Sequence, residues 1–213
     1  INEIKRMDDT FLSKLAAAGT NIMHIGAESG SDRILKLIRK NCTVEDIIEC
    51  NKKLARHPEI TTGYNFIAGL PTETLEEVKA TRDLILRLIK DNPQCVIFNV
   101  NKFTPIPKTE LYDFVNKYWG YSPPLTAEGW ASYYDTEKFY SIDGKAHYPW
   151  RSRKINKIVD MMEFCTKFID NKAGKLLNHK KNWFYTSVYI ANVLYRPFAW
   201  FRFRFSFYHG LIE

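Results

Sequence analysis

Three times along this chain a short apolar run rich in β-branched or aromatic residues is followed by a turn and then by helical periodicity, and no other feature constrains the fold as much. The runs start near residues 22, 61 and 95, so their spacings are 39 and 34 residues. Such spacings are too long for hairpins and suit βα units whose strands lie parallel in one sheet. In the first unit the strand Asn21 to Glu28 meets a Ser-Gly-Ser turn, after which Ile34, Leu35, Leu37 and Ile38 restore a helical period. Thr43 then opens a second helix carrying Ile47, Ile48 and Leu54. In the second unit Thr61 to Ala68 is broken by Gly69-Leu70-Pro71, and Thr74 and Glu77 stand at capping-box spacing before a stripe of Val78, Leu84, Ile85, Leu88 and Ile89. The third runs from Cys95 to Phe103, turns at Pro105-Ile106-Pro107 and enters a short helix near Leu111 to Val115. Ahead of all three, Asp8 to Ala18 reads as a helix ending at Gly19, a usual C-cap residue.

The fold class expected is therefore α/β, a partial (β/α) TIM-type barrel of three parallel βα units over residues 1–120. A full barrel of this type needs about eight strands, so further strands are expected upstream. Residues 121–213 form a C-terminal extension. Ser122 to Trp150, rich in proline and aromatics, reads as a loop region with a short helix around Ala127 to Tyr133. A helix over Arg153 to Phe168 is expected within residues 151–172, followed by a basic, aromatic tail.

Charge divides along the same line. Residues 1–144 carry 18 Lys/Arg against 20 Asp/Glu, and residues 145–213 carry 13 against 4, so all of the net charge of +7 resides in the extension. Basic tails favour anionic surfaces and say nothing about fold. The four cysteines, Cys42, Cys50, Cys95 and Cys165, are too scattered for a zinc site or a ferredoxin-type run. They read as reduced, buried thiols of a cytoplasmic protein without a signal peptide, which makes the Asn41-Cys42-Thr43 sequon accidental.

Period-two alternation sorts each strand into two faces. Met23, Ile25 and Ala27 are apolar, opposite His24, Gly26 and Glu28. Tyr64, Phe66 and Ala68 stand opposite Gly63, Asn65, Ile67 and Gly69. Asn99 and Asn101 share a face with Phe103. In a parallel barrel helices cover the apolar face, so the polar set lines the interior or its mouth. Glu28 stands at the C-terminal end of its strand, where barrel enzymes place binding and catalytic groups; the structural alternative is a helix cap or a pair with Arg33 or Lys36. His24 reads more readily as a hydrogen-bonded interior residue than as a metal ligand, since no second His or Cys sits at ligand spacing. Glycines on the interior face let a flat ring approach the backbone, unless Gly69 only ends its strand.

These residues bring a family into view. Ile25-Gly26-Ala27-Glu28-Ser29-Gly30-Ser31, with Ile38-Arg39-Lys40 and Thr43, resembles the fourth-strand segment of radical S-adenosylmethionine (SAM) enzymes, above all those with an N-terminal cobalamin-binding domain. Asn65-Phe66-Ile67-Ala68-Gly69-Leu70-Pro71-Thr72-Glu73-Thr74 resembles the fifth, and Phe103-Thr104-Pro105-Ile106-Pro107-Lys108-Thr109-Glu110-Leu111-Tyr112 the sixth. Together they span residues 1–135. Thr72 and Lys108 depart from the pattern, standing where glycine is common. The resemblance implies cofactor contacts from Glu28 and Ser29 to the ribose or amino-acid part of SAM, with Asn65 pointing inward and Ile67, Ala68 and Gly69 against the adenine. It leaves His24, Asn99 and Asn101 for the substrate side. It also implies a 4Fe-4S cluster whose CxxxCxxC ligands lie upstream, so no metal ligand is expected in this chain, which by itself is expected to be inactive. Cobalamin is a further implied cofactor, and a flavodoxin or ferredoxin the implied reductant.

In the tail, residues 182–208 hold 12 of the 31 aromatic residues. Asn182 to Tyr195 is uncharged but too short to span a bilayer. Aromatics interleaved with Arg196, Arg202 and Arg204 suit a membrane interface or a segment packed on the barrel with its arginines reaching outward. Nucleic acid fits less well, because the arginines alternate with phenylalanines and form no broad basic face. Ala199-Trp200-Phe201-Arg202 is similar to a stretch common in extensions of the same family.

Two functional expectations follow. One is part of an enzyme that cleaves SAM reductively and acts on a small, apolar or lipid-like substrate by methyl transfer or oxidative cyclisation, in the cytoplasm or peripheral to a membrane. The other is a non-catalytic membrane-surface or partner-binding module on a barrel remnant. A phosphate-binding barrel enzyme is disfavoured, since no Gly-rich phosphate loop follows any strand.

Overall fold

The computed structural model describes residues 1–121, 124–129, 131, 148–171 and 183–208. Three parallel strands, β1 (Ile22–Glu28), β2 (Thr61–Ala68) and β3 (Cys95–Lys102), form one sheet in the order β1-β2-β3. They begin where the sequence periodicity puts them. Helices α1 (Asn2–Arg6) and α2 (Asp9–Ala17) precede β1; α3 (Asp32–Leu37) and α4 (Val44–Leu54) carry the chain to β2, and α5 (Leu75–Asp91) to β3. Beyond the sheet lie α6 (Glu110–Trp119), α7 (Arg153–Cys165) and α8 (Trp183–Phe205).

Each connection starts with a side chain that satisfies orphan amides of the first helical turn. Ser31 accepts from Ile34 N, and Thr43 with Asp46 and Thr74 with Glu77 form reciprocal capping boxes. Thr109 caps α6 and Gly120, at φ +59°, ends it, which is why this helix is longer than the expected Leu111–Val115. Helix α7 is shorter than expected, stopping at Cys165. The chain then turns back so that Asp170 accepts the Ile97 backbone N–H of β3 at 2.7 Å. The short helix expected at 127–133 falls largely outside the described residues; 127–129 and 131 are helical.

One face of the sheet is greasy and covered. Ile25, Ala27, Tyr64, Phe66, Ala68, Ile97 and Val100 pack in a single core with Leu54, Val78, Ile85 and Leu88 of α4 and α5, Val159 and Met162 of α7, and Phe203 of α8. The core thus runs continuously from the βα units into the extension. A second, aromatic cluster of Val115, Tyr121, Tyr148 and Trp150, with Phe103 and Trp119 against it, sits beyond the β3 end. The opposite sheet face carries His24, Gly26, Asn65, Ile67, Asn99 and Asn101, all half-buried or exposed. This matches the two-face reading except at Phe98. There the pairing slips between Tyr64 and Asn65, which puts Phe98 and Asn99, neighbours in sequence, toward the same open face.

Candidate functional site

The open face is built from the C-terminal half of each strand. In β1 the register shifts between Gly26 and Glu28, and Glu28 has φ +68°. That left-handed residue folds its carboxylate back over Gly26, where Lys40 Nζ donates to Glu28 Oε1 at 3.0 Å. A Cβ at Gly26 would overlap the Glu28 carboxyl group and crowd Lys40 Nζ, so a side chain there would displace the ends of both. The carboxylate's partner is Lys40 and neither Arg33 nor Lys36. Arg33 is turned away to Glu77, through Nε–Oε1 at 2.7 Å and Nη2–Oε2 at 2.6 Å.

Asn65 of β2 pairs with Asn99 of β3, and Ile67 with Asn101, so three asparagines form a polar patch across the sheet. None makes a side-chain hydrogen bond to another described residue. His24 stacks on Phe98 with ring centroids 4.2 Å apart, and Phe98 fills the space that a side chain at Gly63 would need. His24 is exposed and makes no side-chain hydrogen bond to another described residue, so the hydrogen-bonded interior role expected of it is replaced by ring stacking. Ile67 faces the open side, whereas Ala68 is fully buried among the helices. Gly69, at φ +78°, ends the strand, and its backbone groups are already engaged: its N–H donates to Glu73 Oε2 at 2.6 Å and its carbonyl accepts from Trp150 Nε1 at 2.9 Å. Arg151 lies against it so closely that a Cβ would stand 2.5 Å from Arg151 Cδ.

Ser29, though adjacent to Glu28, goes the other way. It is completely buried, with its hydroxyl 3.3 Å from Thr81 Oγ1 of α5 and accepting the Ser31 N–H. Its turn is bolted to the next one, since Glu77 receives Ser31 Oγ, Thr74 N and the Arg33 guanidinium, while Arg33 also donates to the Thr72 carbonyl. The guanidinium holds the Glu77 carboxyl far below the usual range, down to about 2. Glu73, four residues earlier, is pushed the opposite way, to about 7: burial outweighs the stabilising N–H groups of Leu70 and Gly69. The fold therefore brings Glu28, Asn65, Ile67, Asn99, Asn101 and His24 to one face, and places Ser29 and Ala68 behind it.

Lys40, Glu73, Trp150 and Arg151 were not singled out as site residues by sequence reasoning. Lys40 and Glu73 lie inside segments that carry the family resemblance. Trp150 and Arg151 are 81 and 82 residues beyond Gly69 in sequence, and nothing local ties them to the β2 end.

Among the described residues the four cysteines do not come together as an iron–sulfur site. Cys42, Cys50, Cys95 and Cys165 lie on separate elements, and burial raises the thiols of Cys42, Cys50 and Cys165, the last to about 11. No group of three His, Cys, Asp or Glu side chains suited to a metal occurs among the described residues. An adenosyl ligand fits better. Gly26 keeps the sheet surface low beside a carboxylate, and three asparagine amides stand next to it.

Comparison with known proteins agrees. The Radical SAM superfamily model matches residues 3–85. A threonylcarbamoyladenosine tRNA methylthiotransferase of Rickettsia prowazekii is 42% identical over 88 residues, 39% of this chain and 21% of that protein. A tRNA-2-methylthio-N(6)-dimethylallyladenosine synthase of Petrotoga mobilis is 33% identical over 99 residues, 45% of this chain and 21% of that protein. An uncharacterized methyltransferase of Pyrococcus horikoshii is 36% identical over 110 residues, 50% and 23% of the two chains. The aligned stretches thus span about a fifth of the curated relatives' length. Parallel βα units with a polar strand-end face thus coincide, over the first two of them, with a stretch, residues 3–85, that is similar to the Radical SAM superfamily domain.

Proposed function

We propose that the open sheet face binds the nucleoside of S-adenosylmethionine and that the intact protein is a radical SAM enzyme. The observation that carries this is the location of Glu28. It is a half-buried carboxylate at a strand's C-terminal end, folded over a glycine and held by Lys40, beside three asparagines with no partner in the described chain. A carboxylate so held keeps lone pairs for two ribose hydroxyls, and the asparagine amides both donate and accept. Lys40 fixes the position of the carboxylate. Ile67 offers an apolar surface for a purine, and the Glu73 and Trp150 contacts hold the Gly69 turn in shape beneath it. Bound to a reduced 4Fe-4S cluster contributed from outside this chain, SAM supplies a 5′-deoxyadenosyl radical; a flavodoxin- or ferredoxin-type protein is the class of reductant required.

The substrate side of this reading is a small apolar molecule, with methyl transfer or oxidative cyclisation as the outcome; the mass change of the product distinguishes the two. A second reading rests on the names of the relatives, which act on adenosines of tRNA. Anaerobic reconstitution of the intact protein, followed by assay for 5′-deoxyadenosine with and without added tRNA, tests both. The expected result is SAM cleavage, with affinity for SAM lowered about ten-fold by Glu28→Gln, the loss of one charge-assisted contact. Absence of 5′-deoxyadenosine from a cluster-loaded preparation refutes the assignment.

A further inference from the structure

Helix α8 has two apolar faces, and only one is covered. Asn192, Ala199 and Phe203 are buried, and the helix's rotation is set by hydrogen bonds to the segment after α7: Asn192 Nδ2 to Lys167 O at 3.0 Å and Trp200 Nε1 to Ile169 O at 2.9 Å. On the opposite side Trp183, Ile190, Leu194, Phe198, Phe201 and Phe205 fall at spacings of seven, four, four, three and four residues, a single stripe on a 3.6-residue helix. They are 48% to 81% exposed. The docked face cannot release without breaking those bonds, so the stripe stays outward. A surface row of six large apolar side chains, interrupted only at the Thr186-Ser187 turn, marks an interaction site.

We propose that this face of α8 lies in the interface of an anionic lipid bilayer, parallel to its surface. Charge selects the occupant. Between Asp170 and Glu213 the sequence holds no acidic residue and, besides the buried Arg202, six cations: Lys172, Lys175, Lys180, Lys181, Arg196 and Arg204. Two copies of the chain meeting through this face would bring those cationic segments together, whereas anionic headgroups neutralise them. Nucleic acid needs cations along the contact surface, but the stripe itself contains none and Arg202 is buried, its guanidinium against Phe207 O and Tyr195 Oη. The helix does not cross the bilayer, since no described helix is long and apolar enough. Aromatic side chains on one face and flanking lysines are the chemistry of an interfacial anchor.

Co-sedimentation of the intact protein with vesicles of phosphatidylcholine alone, and of phosphatidylcholine with 30% phosphatidylglycerol, tests this. Binding is expected only with phosphatidylglycerol, weakened at least about ten-fold by Leu194→Ser with Phe201→Ser, which removes two exposed side chains. It is also expected to weaken with Lys180→Gln and Lys181→Gln. Circular dichroism melts report whether each variant folds; if the serine variant does not, quenching of wild-type tryptophan emission by bromolipid vesicles decides. No sedimentation with anionic vesicles, unchanged sedimentation of the folded serine variant, or absence of bromolipid quenching each overturns the proposal. So does a dimer, or a complex with RNA, that the serine variant abolishes while vesicle binding is nil.

Discussion

Replacing Glu73 by glutamine separates the electrostatic cost of this carboxyl group from its hydrogen bonds. Glu73 is 5% exposed, accepts the Gly69 and Leu70 amides at 2.6 and 3.0 Å, and has an Oε1 without a partner among the described residues. Burial raises its pKa from 4.5 to about 7. The protonated form is therefore favoured in the folded state, and the sign of the linkage follows: stability is highest below the unfolded pKa, falls as pH rises from 4.5 to about 7, and is flat above. A shift from 4.5 to about 7, at 1.36 kcal/mol per unit, corresponds to about 3 kcal/mol in full, of which about 2.5 kcal/mol develops between pH 5 and pH 8. Glutamine keeps an oxygen for the two amides but buries an NH2 group, a pH-independent penalty of about 1–3 kcal/mol. The informative quantity is thus the change with pH in the difference between Glu73→Gln and wild type. Urea unfolding at pH 5, 6.5 and 8 should show the variant gaining about 2.5 kcal/mol on the wild type across that range. A difference constant to within about 0.5 kcal/mol would mean that Glu73 is ionised throughout and that its two N–H partners outweigh its burial.

Glu77 should behave in the opposite sense. Its carboxyl is held down at about 2, so its contribution is present above 4.5 and lost as pH falls toward 2. Because the group is partly solvated, Glu77→Gln should cost only about 1–2 kcal/mol at pH 7 and flatten the acid limb of a stability–pH profile; an unchanged acid limb would refute the pairing. Thr72 and Lys108 have φ of +65° and +68°. Glycine relieves about 1–2 kcal/mol of left-handed strain at the cost of unfolded-state entropy. Lys108→Gly should thus stabilise by up to about 1 kcal/mol, and Thr72→Gly by less, since the Thr72 hydroxyl accepts from Arg33 at 3.1 Å. Destabilisation at both positions in urea melts would contradict the strain argument. Trp150→Phe leaves the Gly69 carbonyl unpaired in a buried setting, so thermal unfolding should report a loss of about 1–2 kcal/mol.

The strands, their parallel order and their two faces could be read directly, because period-two burial and the spacing of caps and breakers are local properties. Even the two departures from the family pattern were informative: Thr72 and Lys108, standing where glycine is common, both adopt the left-handed backbone that glycine favours. What could not be read depends on contacts between distant residues. Nothing near Ser29 indicates that its hydroxyl meets Thr81 of α5, and nothing near Gly69 indicates Trp150. The register slip at Phe98 leaves no mark in an apolar run, since a one-residue bulge changes the facing without changing the composition. The tail posed a choice between packing and exposure. Helix α8 does both at once, which a single hydrophobic period cannot express.

The distinction that matters for the site is between polar groups the fold consumes and those it leaves available. At the ends of β1 and β2, Ser29, Thr81, Glu77, Arg33, Glu73 and the Gly69 backbone are engaged by one another or by Trp150, and they make two loops one rigid unit. Removing any of these changes stability first. Asn65, Asn99 and Asn101 differ, because leaving three amides unused on a sheet face stabilises nothing in the described chain. Glu28 stands between the two groups: Lys40 holds one oxygen and the other is uncommitted. A substitution such as Asn65→Ala should therefore leave unfolding free energy within about 0.5 kcal/mol of wild type, the usual range for an uncoupled surface position, while weakening SAM binding. If instead Asn65→Ala destabilised the protein as much as Trp150→Phe, the asparagine patch would be part of the scaffold, and the nucleoside site would have to be sought elsewhere on the strand ends.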